Sequence, residues 1–375
     1  MNSTSGVAES ALQPPVSRPA KGLASLGDEL LAKVLTSHSK ACAQGAKLCK
    51  TFRGLIIADK LSDQVSLLKD GVTVRTDIEI QSPQVCTSGA NLYVKGTDGT
   101  FCNLNPATLE QQWVVWNGAD TPGMCMTACG DLVITGHDNT DTHNHPHNCL
   151  LVWDTVTGNC NHVLQGHTNL ITCVAVWGQY LLSGSWDNTV KVWRMDDAGS
   201  WPCVCTIKGP THAVTAVLGW EGRVINGYLD GTVSVSDIAT GKCEARFLAD
   251  LHHVSDLAIC GQTLLTAGSA CTIGMWALRT WVLLREIRVR EYVPDVDDCL
   301  CLAVHGSMLF CGGKREDNHG FVVVLDAETF KLLSTFQTHN PIPKVLYTGG
   351  SLFAVHQHGL VAVRDSIDTP RELAQ

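Results

Sequence analysis

"SGSWDNTVKVW" (residues 183–193) is the stretch whose reading decides the fold. Two strand-like runs flank the four residues Trp186, Asp187, Asn188 and Thr189. Asp and Asn tolerate the positive φ that tight hairpin turns demand. The stretch therefore reads as two antiparallel strands joined by a short turn that carries Asp187. An acid near serines and His167 has the composition of a hydrolytic triad, but it also suits a buried hydrogen-bonded scaffold.

Working outward, the pattern recurs. A small residue or Gly, then a bulky aliphatic, then a strand closing on Gly appears as "SGANLYVKG" from Ser88, "ACGDLVITG" from Ala128 and "WGQYLLSG" from Trp177. It returns as "WEGRVING" from Trp220, "CGQTLLTAG" from Cys260 and "HGSMLFCGG" from His305. A last copy, "TGGSLFAVH" from Thr348, lacks the closing Gly. The aliphatic positions are Leu92, Leu132, Leu181, Val224, Leu264, Leu309 and Leu352, separated by 40, 49, 43, 40, 45 and 43 residues. That spacing is close to the ~40–45 residues of one four-stranded propeller blade.

Each copy is preceded by an alternating strand, as in "LITCVAV" (170–176), "AVTAVLG" (213–219) and "CLCLAVH" (299–305), and continues past its turn into a third, such as "VKVW", "VSVS" or "IGMW". Residues 70–375 are thus expected to form an all-β, seven-bladed propeller of antiparallel sheets. The last copy ends in "LVAVR" (360–364) with no fourth strand, and "DGVTVRT" (70–76) is expected to supply it, removing two raw edges at once. The alternative is a linker that only looks β-like.

Composition sets the class. The chain has 375 residues, 45% of them hydrophobic and 17% charged, which describes a globular protein with a sizeable core. A net charge of −9 opposes nucleic-acid partners. No apolar run is long enough to span a membrane, and no secretory leader is apparent. The 17 cysteines include no Cys-x-x-Cys pair and sit mostly in apolar runs, so they read as small buried hydrophobes in a reducing compartment, cytoplasmic or nuclear. Residues 1–22 are rich in Ser, Ala and Pro and are expected to be a disordered tail.

Residues 86–365 resemble the WD-repeat β-propeller family. "GHTNLITCVAVWGQYLLSGSWDNTVKVW" (166–193) is close to an ideal repeat, and "LLVWD" (150–154) holds a Trp-Asp pair. The resemblance implies a buried set of His167, Ser183 or Ser185, Asp187 and Trp193 that locks one blade. With no GxSxG nucleophile elbow in the chain, Asp187 is expected to be scaffold. Other copies depart from the pattern. Pro210 replaces the His and Ser236 the Trp where Asp230 keeps the acid; Cys271 stands near the fifth turn, which keeps Trp276; "HQHG" (356–359) has no Asp.

Residues 23–60 read differently. Leu26, Leu30, Leu31, Val34 and Leu35 line one side of a first helix, and Ala41, Gly45, Leu48, Cys49 and Phe52 one side of a second. "LGDELLAKVL" and "AKLCKTFRGLI" resemble the F-box, a helical motif that docks on a Skp-type adaptor of cullin ubiquitin ligases. Gly27 stands where that family has Pro, and "TSHSKAC" (36–42) lacks its apolar residues. The other reading is a generic amphipathic hairpin. The resemblance implies a non-enzymatic substrate receptor, with adaptor contacts from Leu26, Leu30, Leu31, Val34, Leu48 and Phe52 and no cofactor.

A client protein would then sit on the propeller's top face, at Leu170, Thr172, Trp186, Met124, Thr215 and His253, with Ala213, Leu229, Asp298 and Leu300 nearby. No Arg or Lys falls among these positions, which argues against a phosphate-reading pocket. Trp186 is the expected anchor.

One loop stands apart. "HDNTDTHNHPHNC" (137–149) holds His137, Asp138, Asp141, His143, His145 and His147. Alternate histidines can face one way and capture Zn²⁺ or Cu²⁺, but Pro146 interrupts the alternation and no general base is placed beside them. A solvated loop, an adventitious metal and a metal-dependent hydrolase site all remain open. So does a WD-repeat scaffold with no ligase link.

Overall fold

The structure, a computed structural model, describes residues 74–364 apart from 80–83, 90, 97–99, 107–110, 117–122, 138–146, 197–198, 211, 251, 349–350 and 357–358; it leaves out the side chains of 74–79, 100, 111–116, 123–124 and 361–364 as well. The tail, the F-box-like segment with its six adaptor-contact residues, and His143 and His145 lie outside the described residues.

The described residues form seven four-stranded antiparallel sheets. After β1 (Val74–Glu79), blade 1 is β2–β5 (Gln84–Ser88, Asn91–Lys95, Thr100–Leu104, Gln111–Trp116) and blade 2 is β6–β9 (Gly123–Cys129, Leu132–His137, Leu150–Asp154, Cys160–Leu164). Blade 3 is β10–β13 (Ile171–Trp177, Tyr180–Ser185, Thr189–Arg194, Cys203–Lys208), and blade 4 is β14–β17 (Val214–Trp220, Arg223–Tyr228, Thr232–Asp237, Cys243–Leu248). Blade 5 is β18–β21 (Val254–Cys260, Thr263–Gly268, Thr272–Ala277, Leu283–Arg288), and blade 6 is β22–β25 (Val296–His305, Met308–Arg315, Gly320–Asp326, Leu332–Thr338). Blade 7 is β26–β28 (Lys344–Thr348, Ser351–His356, Gly359–Arg364).

First strands of successive blades pack on one another from β2 on β6 through to β22 on β26. β1 pairs antiparallel with β28 and completes blade 7, running Val74↔Arg364 to Glu79↔Gly359. The strand that joins the chain's two ends therefore begins four residues after the stretch anticipated from alternation. It leaves no half-built sheet at the seam.

Burial explains why the middle strands are nearly continuous in apolar residues. Each is covered by a blade on both faces, so β11 and β8 are buried along almost their whole length. Outer strands such as β13 and β21 are largely exposed. The turn between second and third strands needs one left-handed residue, supplied by Asn188 (φ 64), Gly231 (φ 78) and Cys271 (φ 59) in blades 3, 4 and 5.

One register in the sequence reading needs correction. In blade 2 the counterpart of Leu181 is Val133, not Leu132. Val133 pairs with Trp153 as Leu181 pairs with Trp193, and both aliphatics are fully buried. "DLVITG" sets two aliphatics side by side, and only the position relative to the left-handed Gly130 and Gly178 separates them.

Candidate functional site

Blade 3 carries the most complete polar set. β11 presents Ser183 to the blade interior, β12 brings Trp193 across from Leu181, and the segment leading into β10 delivers His167. His167 Nδ1 lies 2.7 Å from Asp187 Oδ2, and its Nε2 lies 2.8 Å from Ser183 Oγ. Trp193 Nε1 donates to the same Ser183 oxygen at 2.9 Å. Because Asp187 only accepts, Nδ1 is the donor, and Nε2 of the neutral ring accepts from the Ser183 hydroxyl. The result is one directed chain, Trp193 to Ser183 to His167 to Asp187.

Asp187 also accepts from the amide and hydroxyl of Thr189 and from the Thr168 amide, at 2.9, 2.6 and 3.0 Å. Burial alone would raise its carboxyl. The hydrogen bonds from His167, Thr189 and Thr168 outweigh it and hold the carboxyl well below the usual range. Ser185 stands outside this chain, accepting from the Asp187 amide and donating to the Asn169 carbonyl.

The serine, imidazole and carboxylate follow the order of a catalytic triad, but the chemistry is blocked. Ser183 is 0% exposed, the His167 side chain is equally buried, and Trp193 occupies the serine oxygen from the far side. An electrophile has no approach to Oγ.

Other blades solve the same linkage with other residues, which sequence matching missed. In blade 2 the imidazole comes from β7 itself: His137 Nε2 lies 2.7 Å from Thr135 Oγ1, which also accepts from Trp153 Nε1 at 2.9 Å. His137 is therefore a buried blade residue.

In blade 4, Tyr228 packs over Gly209 and shares a 2.9 Å hydrogen bond with Ser234, while His212 pairs with Asp230 at the surface, 3.1 Å apart. In blade 5, Asp250 stands in the lead-in segment and reaches back to accept from the Ala270 amide of the turn, and Trp276 donates to Thr266. The sequence signal for Asp250 is its position fourteen residues before Leu264, matching His167 before Leu181.

The top-face residues separate into groups. The Trp186 amide donates to the Leu170 carbonyl and the Leu229 amide to the Ala213 carbonyl, which marks them as equivalent positions in adjacent blades. Trp186 is 52% exposed and Leu229 49%. Leu170 is half-buried beside them, Ala213 is buried, and the side chain of Met124 is not described.

Thr172 and Thr215 are spent within the ring. Each sits at a β-bulge and donates its hydroxyl to the first carbonyl of the next blade's inner strand, Val214 and Val254 respectively. Cys125 and Cys301 point their thiols at the equivalent carbonyls of Ile171 and Ile342.

His253 Nε2 lies 2.9 Å from Ser255 Oγ and 3.8 Å from Asp298 Oδ2. Both partners share one ring nitrogen, so no relay runs through it. Burial raises the Asp298 carboxyl, partly countered by His253 and Lys314.

In blade 6 the counterpart of Trp186 and Leu229 is Glu316, whose amide donates to the Asp295 carbonyl. Beside it, at the end of β23, Lys314 pairs with Asp297 at 2.6 Å, and Arg315 lies between Asp295 and Asp317. The face is therefore apolar over blades 3 and 4 and ionic over blade 6. Among the described residues no group of three or more His, Cys, Asp or Glu is placed to hold a metal ion. Among them, too, no helix is long and apolar enough to cross a membrane.

With this geometry in hand, comparison with known proteins agrees with the class. Residues 158–194 match the family described as "WD domain, G-beta repeat". A 75-residue stretch is 31% identical to the periodic tryptophan protein 2 homolog of Caenorhabditis elegans, covering 20% of this chain and 8% of that protein. An 88-residue stretch is 30% identical to an uncharacterized WD repeat-containing protein of Schizosaccharomyces pombe, covering 23% of this chain and 24% of that one. The matched segments thus span no more than about a quarter of either relative.

Among solved structures, the computationally designed Ika8 protein is similar in fold, with a TM-score of 0.58 and 18% identity, covering 76% of this chain and 97% of that chain. The described chain is a seven-bladed propeller carrying a WD repeat, a type of protein-interaction module that is typically a non-enzymatic scaffold.

Proposed function

We propose that this chain holds a partner protein on the top face of blades 3 and 4, and that its residues 23–60 couple that partner to a Skp-type adaptor and cullin ligase core. The observation that supports the platform is the pair Trp186 and Leu229, both about half exposed on turns whose backbone is pinned. Covering the exposed half of Trp186 removes about 100 Å² of mostly apolar surface, or about 2–3 kcal/mol, which is hot-spot magnitude. Leu170 extends the apolar patch, and His253 with Asp298 gives it a polar border. The ligase link is supported by the F-box-like "LGDELLAKVL" and "AKLCKTFRGLI". On this reading the propeller performs no covalent step.

Two experiments test the two halves. The full-length chain should co-elute with a purified Skp-type adaptor and cullin on a sizing column, and the double variant Leu30→Asp/Phe52→Asp should not. Failure of the full chain to co-elute leaves a propeller scaffold with no ligase link. A photoreactive residue at position 186 should crosslink a client in cells, whereas one at the exposed Ala239, in a turn at the opposite end of blade 4, should not. Equal labelling from both positions removes the top face as the platform.

A further inference from the structure

We propose that the partner on the top face presents an acidic, apolar segment, read at the junction of blades 3 and 4 by Leu229, Leu248, His212 and Arg246; this deepens the platform reading above and rests on it. One connecting segment joins the two exposed turns. At its start the Gly209 amide donates to the Asn188 carbonyl, in the turn of Trp186. At its end the Ala213 carbonyl takes the Leu229 amide. Gly209 also lies so close to Tyr228 that a Cβ there would collide with the ring. Trp186 and Leu229 therefore flank a single short span of backbone.

The outer strand of blade 4 extends this surface. Leu248 lies opposite Thr232 and Arg246 opposite Ser234, in unbroken register, so both side chains leave the same face of β17. That face looks toward blade 3, because Ser234 bonds Tyr228 at 2.9 Å and Tyr228 packs in one core with Leu182, Val190 and Ile207. Leu248 is 57% exposed, and Arg246 is exposed as well. The Ala249 amide donates to the Gly231 carbonyl, which seats Leu248 beside the turn that carries Leu229. Trp186, Leu229 and Leu248 together expose roughly 300 Å² of mostly apolar surface, a size at which exposed apolar groups mark an interaction site.

This combination is local. At the places of Leu229, Arg246 and Leu248, blade 5 has Ser269, Glu286 and Arg288, and blade 6 has Glu316, Phe336 and Thr338. The fold itself does not require two leucines beside an arginine here.

Charge selects the occupant. The chain as a whole carries −9, yet the acids around this junction are already engaged. Asp187 is bonded to His167 and Thr189. Asp230 accepts from Thr232 with one oxygen and meets the half-exposed His212 with the other. Glu244 holds Arg223 at 2.7 Å. Arg246 has no carboxylate within ion-pair distance among the described residues. A segment that seats an aliphatic or aromatic side chain on Leu229 and Leu248 and turns a carboxylate to Arg246 satisfies both features, whereas a basic segment meets like charge.

The probe is a phage-displayed library of random dodecapeptides, panned on the full-length chain and on each variant. The wild type should enrich sequences that combine Asp or Glu with Leu, Phe or Trp, and a labelled peptide made from them should bind saturably by fluorescence anisotropy. Leu248→Asp and Trp186→Ala should each weaken that peptide tenfold or more with the thermal melt unchanged. Leu333→Asp, on the rim of blade 6, should leave it intact. Arg246→Glu should invert the selection from acidic to basic sequences, an outcome that loss of folding cannot produce.

No enriched family, or enriched sequences without an excess of acids, overturns the proposal. Where such non-acidic sequences are lost in Trp186→Ala, the platform itself stands. Acidic sequences that bind Trp186→Ala, Leu248→Asp and Arg246→Glu as well as the wild type would overturn this inference and the platform together. A concentration-dependent dimer abolished by Leu248→Asp would overturn it in favour of a second copy. Co-flotation with phosphatidylserine vesicles, lost in Arg246→Glu while the library yields no binder, would overturn it in favour of a membrane.

Discussion

Ser183 is the hinge of the blade 3 network, and replacing it with alanine has a calculable consequence. Its single hydroxyl accepts from Trp193 Nε1 and donates to His167 Nε2. Removing it strands two polar groups at once, in a place where the serine is 0% exposed. A buried polar group deprived of its partner costs ~1–3 kcal/mol. Two such losses, less the small apolar gain of the alanine methyl, predict about 2–4 kcal/mol of lost stability.

The assay is urea unfolding of the full chain, read as a shift in midpoint at constant slope. The mechanism is checked by repeating the change in a Trp193→Phe background, where no indole N–H exists to be stranded. There the cost of Ser183→Ala should drop by about 1 kcal/mol or more, as expected for directly coupled partners. A cost below about 0.5 kcal/mol, or the same cost in both backgrounds, would show that the hydrogen bonds do not carry the blade and would refute the reasoning.

Other perturbations follow from the same contacts. Asp187 has a depressed folded-state carboxyl, so its contribution is fully present above its unfolded value of about 3.9 and is lost as pH falls toward the lower folded value. Stability of the wild type should therefore decline below about pH 4 more steeply than that of Asp187→Asn, read by chemical unfolding at each pH. Asp256 runs the other way: burial raises its carboxyl, so its term favours the fold at low pH and weakens as pH climbs through the raised value, an effect that carboxyl titration by isotope-edited infrared would show.

Gly231 and Gly222 have nearly the same φ, +78 and +76, but a Cβ at Gly231 collides with the Asp250 backbone while one at Gly222 meets open space. Gly222→Ala should cost about 1 kcal/mol from strain alone, and Gly231→Ala at least twice that, by thermal melting. Alkylation of the native chain mapped by mass spectrometry should mark the exposed Cys203 and Cys243 and spare Cys86 and Cys173, whose thiols burial pushes up to about 12.

What the sequence discloses is the part that local chemistry alone dictates. A turn that needs one left-handed residue is filled by Asn188 or Gly231, and it recurs at a spacing that only a blade explains. The strand that closes the ring is visible because alternation survives in a segment with no partner nearby in sequence. Thr172 and Thr215 misled because a bulge, invisible in one dimension, turns their hydroxyls onto the next blade's carbonyls and away from solvent. Lys314 escaped notice because the β23–β24 hairpin runs two residue pairs further than that of blade 3, to Lys314↔Gly320, and so moves the turn along the chain.

The blades judged degenerate by residue identity teach the sharper lesson. Each must tie its lead-in segment to the turn between second and third strands, and must satisfy the polar atoms trapped between them. Blade 3 does so with an imidazole from the lead-in and a carboxylate from the turn. Blade 5 inverts the arrangement: the carboxylate of Asp250 comes from the lead-in, and the turn answers with the Ala270 amide. Blade 4 divides the work, with Tyr228 and Ser234 filling the interior and His212 meeting Asp230 at the surface. The fold requires the link and not a particular side chain to make it, so a search for His, Ser, Asp and Trp at fixed places finds one blade.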